Sequence, residues 1–310
     1  MSNPILDRRT LLAGAAAGLG AAALGGCDRL AETSGGQRAL QAGEDANLFV
    51  QRLLLSDATL APEYAETDIS PWFKPNGTSD PPDRAYKALA RRKFADFQLE
   101  VNGLVERPLK LSLVELRKMP ARTQITRHDC VEGWSCIGKW TGVPVRELLQ
   151  RAGLRPSARY IVLHCADTME DDQSGEGEDS ETNNPQMEKR QQARRSPSRG
   201  SQDQRVDDGQ DGSGGDGESR AGGAAQPVRY YESIDLRDAH HPQTILAYEM
   251  NGAPLPVEHG APLRLRLERQ LGYKMAKYVM RLELVESYSH LGEGRGGYWE
   301  DRGYDWYAGI

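Results

Sequence analysis

Cysteine is scarce in this sequence, and that scarcity excludes two kinds of protein. Four cysteines in 310 residues are too few to staple a small disulfide-rich fold. None of them belongs to a Cys-x-x-Cys-His run, so no c-type haem is attached covalently. Long apolar runs are missing as well: after residue 26, none reaches the roughly 18 residues that a membrane-spanning helix requires. The sequence therefore predicts that the mature chain does not span a membrane.

Aromatic residues are absent from residues 169–227, which also contain only seven residues of the types Ala, Val and Met. This segment has 14 acidic and 7 basic side chains, a net charge of −7, whereas the whole chain has −6. Because so polar a segment buries too little apolar surface to offset the entropy lost on ordering, we predict a disordered insert. The rest of the chain has a net charge of +1, so the acidic balance of the chain comes from the insert. We expect no nucleic-acid partner.

The N-terminus has the pattern of an export signal. Arg8 and Arg9 precede a mildly apolar stretch over residues 11–26, which is typical of a twin-arginine signal. The alternative is that this stretch forms an apolar helix that binds to a surface. Residues 24–27 resemble a lipobox in which Cys27 would be acylated, and ordinary cleavage nearby competes with that interpretation. We expect a periplasmic protein, tethered to the inner membrane if Cys27 carries a lipid.

Alternating or continuous apolar residues predict strands on both sides of the insert. Before it, the predicted strands are residues 97–103, 122–128 and 160–164. After it, they are residues 230–236, 245–250, 262–267 and 278–284. Short helices are predicted over residues 111–119, with Ser112 and Glu115 as a capping box, and over residues 145–153, which end in glycine. The sequence thus predicts a strand-rich α+β domain with short helices.

Four regions follow from these patterns. Residues 1–27 form the export signal. Residues 28–93 form the N-terminal segment. Its first part, residues 28–47, is rich in small and polar residues and is predicted to be a linker, and the rest is a loop-rich segment that packs on the body. Residues 94–290 form the main domain, interrupted by the insert at about 169–227. Residues 291–310 form a tail with two Trp and three Tyr, so we expect it to pack on the body.

Cys130 is the cysteine whose surroundings indicate chemistry. It follows an alternating run and precedes a glycine-containing turn, a position that presents a side chain to a pocket. Arg127 and His128 would lower the pKa of its thiol and hold it as a thiolate. Taken alone, a cysteine is more often a small buried residue, and a disulfide with Cys136 is a further alternative. A zinc site formed by His128, Cys130, His164 and Cys165 is another.

Four motifs occur in a fixed order between about residues 94 and 286, outside the insert. Residues 127–135 are Arg-His-Asp-Cys-Val-Glu-Gly-Trp-Ser, followed by Trp-Thr-Gly-Val-Pro at residues 140–144. Residues 241–247 are His-Pro-Gln-Thr-Ile-Leu-Ala. Residues 259–265 are His-Gly-Ala-Pro-Leu-Arg-Leu, and residues 272–277 are Gly-Tyr-Lys-Met-Ala-Lys. Together these motifs resemble the bacterial sulfite-oxidase-like molybdopterin enzymes.

The resemblance implies a sulfite-oxidase-type molybdopterin-binding fold around one molybdenum. In that family the metal is held by the dithiolene of a pterin, terminal oxygens and one protein cysteine, which here would be Cys130. Soft sulfur donors suit this metal. Cys130 is therefore both the expected metal ligand and the expected catalytic residue. The implied reaction moves an oxygen atom between substrate and metal, and two electrons pass to or from an external carrier.

The resemblance also implies contacts with the cofactor. His259, where the family often has asparagine, and Arg264 fall at such positions, as does the backbone of Met275, Ala276 and Lys277. Thr168, Asn76 and Tyr86 are further cofactor-binding candidates. The cofactor is an anion whose phosphate needs fixed cations, a role that suits Arg264, Lys274 and Lys277. A solvated strand face is the alternative for these basic residues.

The substrate is the least specified part of the prediction. Sulfite oxidation and the reduction of S-oxides or N-oxides both remain open, with His240, His241, Tyr231 and Arg281 as candidates to line the site. The Cys-Val-Glu-Gly-Trp-Ser form is similar to a bacterial branch that includes a methionine-sulfoxide reductase. A membrane-bound haem or quinone-linked electron partner is expected. The alternative is a non-catalytic, exported and lipid-anchored binding protein that retains the fold.

Overall fold

The computed structural model describes residues 33–168 and 228–310 of the chain. The predicted export signal, Cys27 and the predicted insert at residues 169–227 lie outside the described residues. The described residues up to Thr168 and from Arg229 belong to one compact unit. Within these two ranges no helix combines the length and apolar character that crossing a membrane would require.

The described residues form five α-helices and ten strands, besides short 3-10 turns. The helices are α1 (Ser34–Leu54), α2 (Arg84–Arg91), α3 (Leu113–Lys118), α4 (Val145–Ala152) and α5 (Leu236–His240). The strands are β1 (Gln98–Gly103), β2 (Leu109–Ser112), β3 (Arg122–Asp129), β4 (Ser135–Pro144), β5 (Tyr160–Thr168), β6 (Arg229–Asp235), β7 (Ile245–Met250), β8 (Ala253–Pro254), β9 (Arg264–Arg266) and β10 (Val279–Val285). The predicted strand-rich α+β class is confirmed.

The N-terminal helix α1 corrects the sequence-based expectation, because residues 28–47 were predicted to be a linker and α1 already begins at Ser34. It starts at Thr33, whose hydroxyl accepts a hydrogen bond from the Gly36 amide at 3.0 Å. Three glycines in its first ten residues weaken the helical propensity of this stretch. Packing against the body, described below, stabilises a helix that the local sequence does not favour.

The first sheet has the strand order β2-β1-β10-β5-β6. β1 and β10 are parallel, and the other neighbours are antiparallel. β5 ends at Thr168 and β6 begins at Arg229, so the predicted insert lies between two adjacent strands. Such a connection tolerates a long insertion, because loop-closure entropy grows only slowly with length.

The second sheet has the order β3-β4-β7-β8, and β9 also pairs with β7. β3 and β4 form a hairpin in which Asp129 is paired with Ser135. The five residues between them include Cys130, so the sheet presents this cysteine at the end of a rigid hairpin. α3 has the predicted capping box, in which Ser112 and Glu115 bind each other's backbone amide.

The C-terminal tail packs on the body, as its aromatic content predicts. Tyr273 donates a hydrogen bond to the Asp305 carbonyl at 2.7 Å. The indole of Trp306 donates to the Ser233 hydroxyl at 2.8 Å, and its ring stacks on Tyr288 at 5.8 Å between centroids. These contacts attach the tail to β6 and to the turn that precedes β10.

Gly142 is where β4 and β7 approach closely, at an irregularity in their pairing. A β-carbon there would clash with the backbone oxygen of Leu246. We expect Gly142→Ala to lower the free energy of unfolding by about 2–3 kcal/mol, because backbone cannot move aside as a flexible side chain can. Gly43→Ala is the control, since nothing lies within 4 Å and alanine favours the helix by about 1 kcal/mol. Urea unfolding would measure both, and equal effects of the two variants would contradict the prediction.

Candidate cofactor site

The turn that follows β3 holds Cys130 in place. The Cys130 amide donates to the Trp134 carbonyl at 2.9 Å, and the Gly133 amide donates to the Cys130 carbonyl at 3.0 Å. Gly133 has φ +84°, a conformation that favours glycine. The Trp134 indole donates to Glu132 at 2.7 Å. Cys130 is partly exposed, so the turn sets a thiol between the interior and the surface.

Burial raises the pKa of the Cys130 thiol, while Lys74 and Arg264 act in the opposite direction. The expectation that Arg127 and His128 lower this pKa is wrong. The side chain of Arg127 is 54% exposed and pairs with Asp129 at 2.9 Å. His128 is buried, and burial and nearby cations lower its own pKa well below the usual value, so it is neutral. Coordination by a metal ion would displace the thiol proton without help from these residues.

His128 connects the cysteine hairpin to the late motif at residues 272–277. Its Nδ1 atom accepts a hydrogen bond from Arg266 Nη1 at 3.2 Å and lies 3.3 Å from the Met275 sulfur. A β-carbon on Gly272 would overlap the His128 ring. Two motifs that are 147 positions apart in the sequence therefore pack against each other, as the resemblance requires.

Arg264 is a fully buried cation at the centre of the site. It donates to the His259 carbonyl at 3.3 Å and to the Asn76 side-chain oxygen at 3.2 Å. Both acceptors are neutral, and no carboxylate in the described part of the chain is hydrogen-bonded to Arg264. Burial and the neighbouring Arg266 lower the pKa of Arg264 to about 9. The fold thus keeps a positive charge inside the protein without a paired negative charge.

Lys277 and His259 extend this cationic environment. The Lys277 ammonium donates to the carbonyls of Thr78 and Glu258. Burial and Arg264 lower the pKa of Lys277 to about 7. Burial, Arg264 and Lys277 lower the pKa of His259 to about 4. All these groups would gain from an anion nearby, because it would compensate the charge that burial penalises.

The segment at residues 70–78 closes over the site and explains the position of Asn76. The Phe73 ring lies 5.6 Å from His259, 5.7 Å from His128 and 5.4 Å from Trp140 between ring centroids. Sequence reasoning missed Phe73, although it stands in an aromatic pair with Trp72 just before Asn76. The segment brings an apolar cover and one amide oxygen to Arg264.

Several buried polar atoms of this region have no hydrogen-bond partner. They show which kind of cofactor the region could bind. They are His259 Nδ1, Arg264 Nε, Thr168 Oγ1, Trp140 Nε1 and His128 Nε2. Buried polar groups are normally satisfied, and together with the buried cation Arg264 these atoms suit a ligand that is anionic and rich in acceptors. The residues therefore fit a phosphate-bearing pterin, with Cys130 available to its metal.

The other cofactor-binding candidates lie in the same region with different partners. Tyr86 is buried and donates its hydroxyl to the Ala261 carbonyl at 2.7 Å, so it supports the segment that precedes Arg264. Thr168 ends β5 opposite Arg229. The Ala276 carbonyl accepts a hydrogen bond from the Leu265 amide at 2.8 Å. Direct contact of Tyr86, Thr168, Met275 and Ala276 with the cofactor stays a prediction.

Lys274 does not have the predicted role of a phosphate-binding cation. Its ammonium is buried and lies 2.5 Å from both Glu232 and Glu300. Burial alone would lower the pKa of Lys274, and the two carboxylates outweigh that effect and raise it. The side chain instead fastens the segment at residues 272–277 to β6 and to the C-terminal tail.

We expect Lys274→Met to lower the free energy of unfolding by about 3 kcal/mol, because it leaves two buried carboxylates without a cation. Lys110→Met is the matched control. Lys110 pairs with Glu100 at 2.8 Å, but its side chain is 69% exposed, so the loss there is about 0.5 kcal/mol or less. Urea unfolding of the cofactor-free proteins would measure both, and a similar loss in the two variants would refute the structural role of Lys274.

A second prediction concerns pH. Because the folded pKa of Lys277, about 7, lies below the ordinary value of 10.5, the unfolded chain binds more protons between these values. The free energy of unfolding of the cofactor-free protein should therefore rise from pH 7 to pH 9. In Lys277→Met this rise should be smaller. Urea midpoints at the two pH values would measure the difference between parent and variant, and equal slopes would contradict the pKa of Lys277.

The residues suggested for the substrate side have other partners. His241 is bound to the Thr59 carbonyl at 2.9 Å and His240 to the Leu236 carbonyl at 2.6 Å. Tyr231 donates to Asp301 at 2.5 Å, and Arg281 pairs with Glu283 at 3.3 Å. These bonds account for all four side chains as structural, so the suggestion that they line the site receives no support.

Two alternatives for Cys130 can be compared with the structure. Cys130, Cys136 and Cys165 are all free thiols, so the disulfide with Cys136 is not formed. Among residues 33–168 and 228–310, no three His, Cys, Asp or Glu side chains are grouped to hold a metal ion. A single cysteine near buried cations would suit a metal that is held mainly by a larger cofactor.

A thiol at the end of a hairpin, next to buried cations with unsatisfied donors, is the arrangement that the resemblance implies for a molybdopterin-type cofactor site. The model of the oxidoreductase molybdopterin-binding domain family matches residues 86–189 and 214–291, which is more than half of the chain. The chain therefore belongs to this family of sulfite-oxidase-like oxidoreductases, and its cofactor is a molybdopterin. The unmatched residues between the two ranges fall inside the predicted insert.

Among individual proteins, the chain is similar to the putative protein-methionine-sulfoxide reductase subunit YedZ1 of Azospira oryzae. The two are 33% identical over 276 residues, covering 88% of this chain and 77% of the relative. It is also similar to the protein-methionine-sulfoxide reductase catalytic subunit MsrP of Xanthomonas campestris, with 31% identity over 66% of this chain. The match spans 49% of that relative's length.

A more distant similarity is to a solved structure, the sulfane dehydrogenase SoxCD of Paracoccus pantotrophus. The TM-score is 0.39 at 20% sequence identity, over 62% of this chain. At this level of similarity, no residue or reaction of that enzyme is transferred to the chain.

Proposed function

We propose that the protein reduces S-oxides by two-electron oxygen-atom transfer at a molybdenum held by Cys130. The observation that carries the proposal is the proximity of this thiol to buried, unsatisfied donors around Arg264. Two relatives, at 31% and 33% identity, are named as methionine-sulfoxide reductase subunits. This supports reduction of the substrate rather than its oxidation. The bound cofactor would supply a redox-active metal that exchanges an oxygen atom.

The residues of the chain have separable roles in this proposal. Arg264 and Lys277 hold the anionic cofactor, and Asn76 orients the Arg264 guanidinium through its hydrogen bond at 3.2 Å. Phe73 keeps water away from these cations, which strengthens their attraction for the anion. The turn around Cys130 holds the sulfur at the metal while the partly exposed side leaves access for substrate.

The charges near Cys130 favour a neutral substrate over sulfite. An oxyanion would need free cations at the entrance, but Arg127 is paired with Asp129 and Lys74 lies 3.7 Å from Glu132. An S-oxide is neutral and carries one strong acceptor oxygen, so it avoids the cost of bringing an anion beside Glu132. This difference supports S-oxide reduction as the physiological direction.

We further propose where the protein works and with which partner. The twin arginines and the apolar stretch up to Cys27 support export to the periplasm. The described residues contain a site for one cofactor, so electrons would come from outside the chain. A membrane-bound haem or quinone-linked subunit is the proposed donor, and the word "subunit" in the names of the two relatives is compatible with it.

Metal analysis and a substrate screen test the proposal together. The protein, produced in a host that makes molybdopterin, should contain about one molybdenum per chain. With a reduced artificial electron carrier, it should reduce methionine sulfoxide faster than trimethylamine N-oxide, and it should oxidise sulfite slowly. Absence of molybdenum would favour the non-catalytic binding protein. A metal-loaded protein that prefers sulfite would refute the S-oxide assignment while leaving the cofactor site intact.

A further inference from the structure

The helix α1 attaches to the body through one of its faces. Arg52 bonds to Asp235 at 2.8 Å and to Asp238 at 2.9 Å, and its guanidinium lies 4.9 Å from the centre of the Tyr307 ring. Arg237 also donates to the carbonyls of Arg52 and Leu55 at the end of the helix. The orientation of α1 is therefore set by contacts with β6, α5 and the C-terminal tail.

The opposite face of α1 is apolar and exposed. Phe49 is 67% exposed, Leu53 71% and Leu54 74%, with Val50 at 48%. With a rotation of 100° per residue, these four side chains lie within an arc of about 140°. The remaining residues in the same arc are all small: Gly35, Gly36, Ala39, Ala42, Gly43 and Ala46. The arc contains no charged or polar side chain from one end of α1 to the other.

This distribution is the reverse of that in an ordinary surface helix, which buries its apolar arc and exposes its charges. Single exposed apolar residues are common, but a continuous apolar stripe along a helix of about 31 Å marks an interaction surface. The polar contacts of α1 with the body, made by Arg52 and by Glu44 with Asp305, are on the body side. The helix therefore has a second face that residues 33–168 and 228–310 leave exposed and that is suited to an apolar partner.

We infer that this stripe, residues 39–54 of the outward face of α1, lies on a lipid bilayer. The inference rests on the proposed export and on the sequence that precedes the helix. Only residues 28–33 separate the candidate lipid attachment residue Cys27 and its apolar stretch from the start of α1. Six extended residues reach at most about 20 Å, so a chain anchored there keeps α1 close to the membrane surface.

The chemistry of the stripe also distinguishes a bilayer from a protein partner. Protein interfaces usually combine an apolar centre with polar groups that fix the register, and the outward arc has none. A helix in the membrane interface needs only an apolar face at the level of the acyl chains and a polar face away from them. In α1 the polar face is the one bonded to the body, so the folded domain would rest above the bilayer.

Fluorescence quenching tests the inference on the full-length chain with Cys27→Ser, which removes the acylation site. Leu53→Trp and Val114→Trp each add one indole to the five native ones at an exposed apolar position of a helix; Val114, in α3, is 63% exposed. On phosphatidylcholine vesicles with brominated acyl chains, Leu53→Trp should show quenching beyond that of the parent, whereas Val114→Trp should not. Equal quenching of the two variants would overturn the inference.

Vesicle binding of the doubly substituted Phe49→Gln, Leu53→Gln chain is the second measurement. Its partitioning onto phosphatidylcholine vesicles should fall about tenfold relative to the parent, while Val114→Gln changes it by less than about twofold. An unchanged partition would contradict the inference. If the parent is a dimer in solution and the double variant a monomer, a second copy covers the stripe and the lipid assignment is wrong.

Failure of this inference and failure of the proposed function can be told apart. Molybdenum content and S-oxide reduction with a soluble electron carrier do not depend on α1, so the Phe49 and Leu53 variants should retain both. Loss of vesicle contact with normal reductase activity would refute only the membrane surface. Vesicle contact in a protein without molybdenum would refute only the proposed reaction.

Discussion

Cys130→Ser should lose S-oxide reduction by a factor of more than about 100. Changes one step removed from a metal ligand already cost 10–100-fold, and here the ligand itself is replaced by a harder oxygen donor that is protonated at neutral pH. The variant should also contain far less molybdenum than the parent. The pterin-binding cations around Arg264 are intact in this variant, so pterin content should fall less than metal content.

Cys136→Ser is the matched control for this prediction. It makes the same chemical change six residues away on β4, where Cys136 is buried and its thiol lies 3.8 Å from the Trp72 carbonyl. This variant should keep its metal and its activity and lose only some stability. Metal analysis, pterin fluorescence and initial rates would compare the two proteins. Retention of full activity by Cys130→Ser would exclude Cys130 as the metal ligand.

Arg264→Met should have two effects of opposite sign. Without cofactor, the variant should be more stable than the parent by about 1–3 kcal/mol, since it removes a buried charge that has no counter-ion. The folded pKa of about 9 lies below the ordinary 12.5, so the charged form destabilises the fold at every pH below about 9. Cofactor affinity should fall by about 100-fold, because a buried charge-assisted contact is lost.

Arg266→Met separates this effect from a general response to losing an arginine. Arg266 lies two residues further along β9 and is also fully buried, but it is paired with Glu268 at 2.7 Å. Its removal leaves a buried carboxylate and should lower the free energy of unfolding by about 3 kcal/mol. Urea unfolding of the cofactor-free proteins would measure both variants. A loss of stability in Arg264→Met would contradict the view of Arg264 as a charge held for an anion.

Strand positions were predictable because alternation is a local property of the chain. Residues 97–103 and 122–128 alternate, and β1 and β3 lie there. Helix α1 was missed because the contacts that stabilise it are not local. Its large apolar residues face outward, and its packing face is held by ion pairs from Arg52 to residues about 180 positions away. No local pattern contains that information.

The candidate site was predictable only where a motif carried it. Cys130, Arg264 and Asn76 are in one region; the first two belong to the quoted motifs, and Asn76 was a further candidate from the N-terminal segment. The opposite fates of Lys274 and Lys277 were not predictable, although they stand three residues apart. In the folded protein the Lys274 ammonium contacts Glu232 and Glu300, whereas the Lys277 ammonium donates to backbone carbonyls. The pKa of Cys130 was mistaken because sequence neighbours such as Arg127 point away from it, on the exposed side of an alternating strand.

The bond between Lys274 and Glu300 also sets an order of events during synthesis. The cofactor region is assembled from Asn76 near the start of the folded body, Cys130 in its middle and Arg264 near its end, and Glu300 in the tail fastens the last segment. A chain still growing on the ribosome lacks these late residues, so its first two hundred residues hold the metal ligand without the anion-binding cations. Cofactor loading at the proposed site should therefore follow synthesis of the chain through Glu300, and a product truncated before Glu300 should emerge without its cofactor.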